Sequence, residues 1–254
     1  MSEPGSLLRS LSGRPAARNF HTFVINEIGV AIVSGKFAVG TILPSDAEMM
    51  ASYGVSRTVL REALRTLEAK GMVEARPKVG TRVSQRSRWN LFDQQVLAWH
   101  FEAELEAEFL VGLFDIRAAL ETRAADLAAR RRTAEQIRLL KYWVHQMELV
   151  NGDVESHALA VLEVHRVIAE ASGNPLLRSA IGLVELTLAL VAVAGSEAER
   201  AAARVALTTL SRELIEMIEA GDAPGAVAAM RAIIEFGGRR ALEGRRPGAA
   251  RGTR

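Results

Sequence analysis

Between residues 19 and 33 apolar side chains recur at helical spacing: Phe20, Phe23, Val24, Ile28, Ala31 and Ile32. Steps of three and four place them on one face, and Ser34-Gly35 closes this first predicted helix. The connection 36–44 turns at Gly40 and delivers the chain through Pro44 to Ser45. Ser45 and Glu48 form a capping-box pair, each able to satisfy a free backbone N–H at a helix start. Tyr53-Gly54-Val55 breaks that second helix, with Gly54 free to take the positive φ of a sharp exit, and Ser56 can cap a third. Val59, Leu60, Ala63, Leu64 and Leu67 give the third helix an apolar face, while Arg57, Thr58, Arg61 and Arg65 lie outside it. After a stop at Gly71, extended pieces at Met72–Ala75 and Thr81–Ser84 flank a turn at Pro77-Lys78-Val79-Gly80. Three helices followed by a hairpin make a winged helix-turn-helix over residues 18–85.

Residues 86–102 read as a linker and a short helix anchored by Trp89, Leu91, Val96, Leu97 and Trp99. The two tryptophans are expected to pin it to the domain that follows. From 103 to 243 every segment has helical periodicity. Breaks at Arg132-Thr133, Asn151-Gly152-Asp153, Gly173-Asn174-Pro175, Gly195-Ser196 and Gly221-Asp222 define about six helices. The first places Leu113, Ile116, Leu120, Ala124 and Leu127 on one face, with Arg117 and Glu121 elsewhere. The fold class is therefore mainly α, a winged helix-turn-helix joined to an all-α bundle.

Composition refines this picture. The chain has 254 residues, 49% of them hydrophobic, enough for a sizeable core. It contains no cysteine, which excludes disulfides and thiolate metal sites. Residues 1–17 read as a flexible arm without the pattern of a signal peptide. The most lipid-like run, Ala180 to Gly195, contains Glu185 and is too short to span a bilayer, so it reads as a buried bundle or dimer helix, and a cytoplasmic location is expected. The net charge of +2 hides a basic N-terminal third. A second basic cluster, in residues 244–254, reads as a disordered tail.

The charge distribution bears on the third helix. The major groove of B-DNA admits an α-helix whose N-terminal residues lie nearest the base edges. Arg57, Thr58 and Arg61 occupy that end. An arginine there can bond guanine O6 and N7 together or clamp phosphates, and both roles stay open. Lys78 and Gly80 at the wing tip suit close approach to a phosphate backbone or the minor groove.

Ser34-Gly35-Lys36-Phe37, the run from Gly40 to Ser45, the run from Val55 to Leu64, and Gly80-Thr81 together resemble the DNA-binding domain of GntR-family bacterial regulators. That resemblance implies DNA contacts by Ser56, Arg57, Thr58 and Arg61, with Lys78, Gly80 and Thr81 at the minor groove. Ala47 departs from the family, many of whose members carry arginine there. Trp89-Asn90-Leu91, Asp93, Val96-Leu97 and Trp99 are similar to a subgroup that includes repressors of galactonate and other sugar-acid operons.

In the bundle, Arg117 with Glu121, Glu163-Val164-His165, the run from Ser172 to Leu176, and Ala220-Gly221-Asp222 resemble the FadR-type (FCD) effector domain. Its members commonly hold a divalent metal through an Asp, a His four residues later, and further histidines in the last two helices. Only His165 is matched. Val161, Ser211 and Ile233 stand at the other positions, and one imidazole does not hold zinc against water, so no cofactor is expected. A rearranged site using Asp153, His157 and His165 stays open. Arg117 matches an effector-binding arginine of the sugar-acid subgroup and could grip a carboxylate with two charge-assisted bonds. His165 and Ser211 could add hydrogen bonds. Arg117 and Glu121 could equally form a structural pair.

These expectations converge on a homodimeric transcriptional repressor released from a palindromic operator by a small carboxylate such as a sugar acid. An architectural or effector-independent regulator whose bundle only dimerises is the alternative. No phosphate-binding loop, metal triad or cysteine supports an enzyme.

Overall fold

The computed structural model describes residues 5–9, 20–103, 105–150 and 152–244. They fall into two compact units, one within Pro15–Leu105 and one combining Met1–Arg14 with Glu106–Arg254. A four-residue helix, α1 (Ser6–Arg9), belongs to the second.

The first unit contains α2 (Phe20–Val33), α3 (Asp46–Tyr53), α4 (Arg57–Ala69), the antiparallel pair β1 (Val73–Arg76) and β2 (Gly80–Val83), and α5 (Gln94–Glu102). Local chemistry sets the boundaries. Ser45 and Glu48 make the reciprocal capping box, Gly54 ends α3 in the left-handed conformation at φ 64°, and Ser56 accepts from Val59 N–H. The strands pair Val73 with Val83 and Arg76 with Gly80, one residue off the expected spans. Leu43 N–H donates to Thr81 C=O (2.8 Å) and Val83 N–H to Thr41 C=O (2.9 Å), tying the hairpin to the loop before α3.

The tryptophans correct one expectation. Trp89 and Trp99 lie in the same core as Val24, Ile28, Leu60, Leu67 and Met72, so they hold the linker helix to the winged-helix unit, not to the bundle. The Trp99 ring lies against Gly29, where a Cβ would stand 2.4 Å from the indole. Its N–H donates to Asn26 Oδ1 at 3.0 Å, and Trp89 N–H donates to Ser84 C=O at 3.1 Å. Lys70, the C-cap of α4, bonds both carboxylate oxygens of Asp93 at 2.7 Å, and Asp93 also caps α5. Gly71 makes this closure possible, since at φ 75° a Cβ would meet Arg88 O at 2.0 Å.

The second unit contains α6 (Ala107–Arg131), α7 (Ala134–Leu149), α8 (Val154–Ala171), α9 (Pro175–Ser179), α10 (Ile181–Val193), α11 (Glu197–Ala220) and α12 (Ala223–Glu243). Thr133, Asp153, Asn174, Ser196 and Asp222 cap the helices at the expected breaks. A further break at Ala180 separates α9 from α10, so the described bundle has one more helix than the spacing suggested. The inward stripe of α6 is Leu110, Leu113, Phe114, Arg117, Glu121, Ala124 and Ala128. Ile116, expected on that face, is 43% exposed. The helix is turned so that an arginine and a glutamate point inward, which apolar periodicity alone does not anticipate.

The apolar run is α10, buried as expected, and its Glu185 has a specific partner. The carboxylate accepts from Leu7 N–H at 2.6 Å, filling a free donor at the start of α1, and Leu8 is fully buried. Residues 5–9 of the expected flexible arm are thus a docked helix. The rest of that arm, and the basic tail 244–254 beyond Gly244, lie outside the described residues. Among the described residues no helix is long and apolar enough to cross a membrane.

Candidate functional site

The first candidate surface is on α4. Leu60, Ala63, Leu64 and Leu67 are buried, which leaves Ser56, Arg57, Thr58 and Arg61 exposed at the N-terminal end. Arg61 Nε stands 4.0 Å from Asp46 Oδ2, with both groups solvated, an arrangement of small energetic value that a phosphate could replace. Ala47, beside Asp46 at the start of α3, is exposed and offers no polar group. At the wing, Val79 N–H donates to Arg76 C=O (3.1 Å) and closes a turn that holds Lys78 at φ 63°. Lys78 and Gly80 are exposed, while Thr81 is half-buried beneath the loop before α3.

Pairing modifies the charge count of this unit. Arg76 and Arg88 both bond Glu74, at 2.7 and 2.6 Å, and Arg76's hydrogen bond is the main cause of a lowered Glu74 pKa. Lys78 is therefore the wing-tip cation of the turn, flanked by a cluster in which Glu74 offsets one of two arginine charges.

The second candidate lies inside the bundle. Arg117 on α6 is 2% exposed; its Nε is paired with Glu121 Oε1 and its Nη1 donates to Thr187 Oγ1 at 2.8 Å. Thr187 in turn donates to Val184 C=O at 2.8 Å. His165 Nδ1 on α8 meets the other oxygen of Glu121. Burial pushes the Glu121 pKa up, but Arg117 and His165 outweigh it and bring the carboxyl down to about 2. One group remains. Arg117 Nη2 is buried and meets no acceptor of the protein, a costly state for a guanidinium N–H unless an anion or a polar molecule meets it.

A cavity of about 20 Å³ opens at this cluster, lined by Arg117, Glu121 and His165 on one side and by Leu177, Ile181 and Met230 among others. That is room for about one water molecule. The structure therefore brings Arg117 and His165 together, and Arg117 forms the structural pair with Glu121 while keeping one donor for a further partner. Ser211 is buried on α11 but does not line this cavity, so it is not joined to the other two. Glu121 and Thr187 belong to the site by geometry; a threonine in a helix whose other residues except Glu185 are apolar was the available signal for the latter. Among the described residues no three His, Asp or Glu side chains are grouped to hold a metal. His157 bonds Thr208 Oγ1 at 3.2 Å, and Val161 lines a separate cavity with it.

Residues 21–83 match the model of the gntR family of bacterial regulatory proteins, and residues 112–236 match the FCD domain. The chain belongs to the GntR family. Among its relatives, the uncharacterized HTH-type transcriptional regulator YieP of Escherichia coli K12 is 36% identical over 166 residues, 65% of this chain and 72% of YieP. The galactonate operon transcriptional repressor of the same organism is 29% identical, over 61% of this chain and 68% of the repressor. The repressor NanR of Salmonella newport is 33% identical, over 68% of this chain and 66% of NanR. Among solved structures, the regulator Lar, which controls the Listeria monocytogenes agr system, shares the fold with a TM-score of 0.64 at 17% identity, covering 90% of this chain and 99% of Lar. This GntR protein is thus a DNA-binding transcriptional regulator with an FCD domain, and not an enzyme.

Proposed function

We propose that this GntR regulator is a cytoplasmic homodimeric repressor that a small carboxylate of the sugar-acid class releases from a palindromic operator. Ser56, Arg57, Thr58 and Arg61 read or clamp the major groove, and Lys78, Gly80 and Thr81 follow the adjacent minor groove. Two-fold symmetry sets the half-site spacing. The observation that carries the effector reading is the buried, unpartnered Nη2 of Arg117 at a cavity shared with Glu121 and His165. The effector carboxylate takes that donor, and its hydroxyls take the outer edges of Glu121 and His165. No metal participates.

At about 20 Å³ the cavity is too small for a sugar acid, so binding separates the half-buried Leu177 and Ala180 from the Arg117 side. Such opening is how a ligand shifts a two-state equilibrium, through its differential affinity for the two states. The regulators named for galactonate repression and for NanR support the repressor assignment.

Fluorescence anisotropy with operator DNA, with and without galactonate and related sugar acids, tests the proposal. Release of wild type by one such acid, with Arg117→Met still bound to DNA but no longer released, is the expected result. If Arg117→Met responds like wild type, the effector is not held at Arg117. If no acid binds by calorimetry and the chain holds DNA regardless, the bundle serves dimerisation only.

A further inference from the structure

The bundle contains a second cavity, between α8, α10 and α11, of about 30 Å³. Its floor is apolar, with Ala158, Val161, Leu188, Val191 and Leu207 all buried. Its polar wall is His157, Arg200 and Arg204. None of these residues takes part in the Arg117 cluster.

The pairing of those groups leaves a defined remainder. Arg200 and Arg204 share one carboxylate, Glu197, at 2.8 and 3.3 Å, and Glu197 is 64% exposed. Arg200 also donates to Gly195 C=O at 2.7 Å. Arg204 Nη1 is buried and meets no acceptor of the protein. His157 Nε2 lies 3.2 Å from Thr208 Oγ1, and that hydroxyl already donates to Arg204 C=O at 2.9 Å. The ring must therefore donate through Nε2–H, which fixes its tautomer. Burial and the neighbouring Arg204 charge push His157 down to about 4, so the ring is neutral near pH 7 and adds no second cation. What remains is one excess positive charge, one buried N–H without a partner, and an apolar floor.

We propose that this cavity is a second ligand site, which binds a small aliphatic monocarboxylate with its carboxylate on Arg204 Nη1 and its tail on the floor. The sugar acid proposed for Arg117 does not fit here, because Val161, Leu188, Val191 and Leu207 offer nothing to its hydroxyls. Val154 and Ala192, both half-buried, line the opening. At about 30 Å³ the cavity holds about two water molecules, so the acid enters by parting Val154 and Ala192, and acids of about two to four carbons bind in preference to longer ones.

Titration calorimetry of the full-length protein with sodium butyrate tests this. Saturable binding to wild type is expected, with butyramide at least about tenfold weaker because it lacks the charge that Arg204 meets. Arg204→Met should weaken butyrate by a similar factor, and Arg117→Met should leave it unchanged. Ala203→Val, which narrows the cavity without removing any charged group, should also exclude butyrate while keeping a cooperative thermal transition. That variant guards against a misfolded Arg204→Met. No saturable butyrate binding to wild type would overturn the proposal, as would equal binding of butyramide or loss of binding in Arg117→Met alone.

Discussion

The winged-helix unit and the bundle place arginine in opposite environments. On α4 the apolar face turns inward and leaves Arg57 and Arg61 in solvent, each free to reorganise when a phosphate arrives. On α6 the inward face itself contains Arg117, held by Glu121 and Thr187 and desolvated before any ligand comes. Exposed cations give rate and salt-dependent affinity, because their Coulomb energy is screened. A buried cation with one unused donor gives selectivity, because the wrong ligand leaves that donor unsatisfied. In the proposed function these environments serve two kinds of partner, a polyanion outside and a small anion inside.

The largest effect that separates the units is expected at Trp99. Trp99→Ala should cost the winged-helix unit about 3–5 kcal/mol. In urea unfolding followed by circular dichroism, the transition of that unit should move while the bundle transition stays. A shift of the bundle transition instead would return the tryptophan to the role expected from sequence.

Next comes pH, which should act on the bundle. The folded His157 pKa, about 4, lies below its ordinary 6.5, so the unfolded chain takes up the proton first. Stability is then full above pH 6.5 and falls as the pH drops towards 4, by up to about 3 kcal/mol. Glu121 acts in a lower window: its contribution is present above 4.5 and is lost as the pH falls towards 2. Thermal midpoints measured down this pH range should decline in His157-containing protein and lose the upper part of the decline in His157→Gln. An equal decline in that variant would remove His157 from the explanation.

Operator affinity should respond more modestly and only to the other unit. Arg57→Ala and Arg61→Ala should each weaken binding by about 1–3 kcal/mol without changing thermal stability. If both leave affinity intact, α4 is not the reading helix. Smallest of all, Lys78→Ala should weaken binding uniformly across sequences and reduce the slope of log K against log salt by about 1. An unchanged slope would take the wing tip off the phosphates.

Legibility follows the range of the interactions. Capping boxes at Ser45–Glu48 and Ser196–Glu199, and glycine exits at Gly54 and Gly221, act over three or four residues and can be read directly from the chain. The exposure of Ser56, Arg57, Thr58 and Arg61 at one helix end was legible for the same reason, since one short helix displays them all. The buried Arg117 cluster was only half legible. Arg117 and Glu121 are one turn apart, but Thr187 and His165 join them from α10 and α8, and Ser211 does not. Gly29 carried a usable signal, because a glycine inside a helix costs stability unless something packs against it.

The sequence by itself determined where most helices from α2 onward begin and end and which face of α4 is polar. Those properties depend on side chains within a few residues of one another. Tertiary structure alone decided that the linker tryptophans belong to the winged-helix unit, that α6 turns Arg117 inward and Ile116 outward, that Glu185 caps the docked α1, and that Arg204 keeps a buried donor over an apolar floor. Each depends on a partner 70 or more residues away except the Ile116 turn, the linker ring of Trp89 and the Arg204 donor, whose floor comes from residues within 50. Burial of a polar group is settled by what the packed helices bring to meet it, and local spacing does not contain that information.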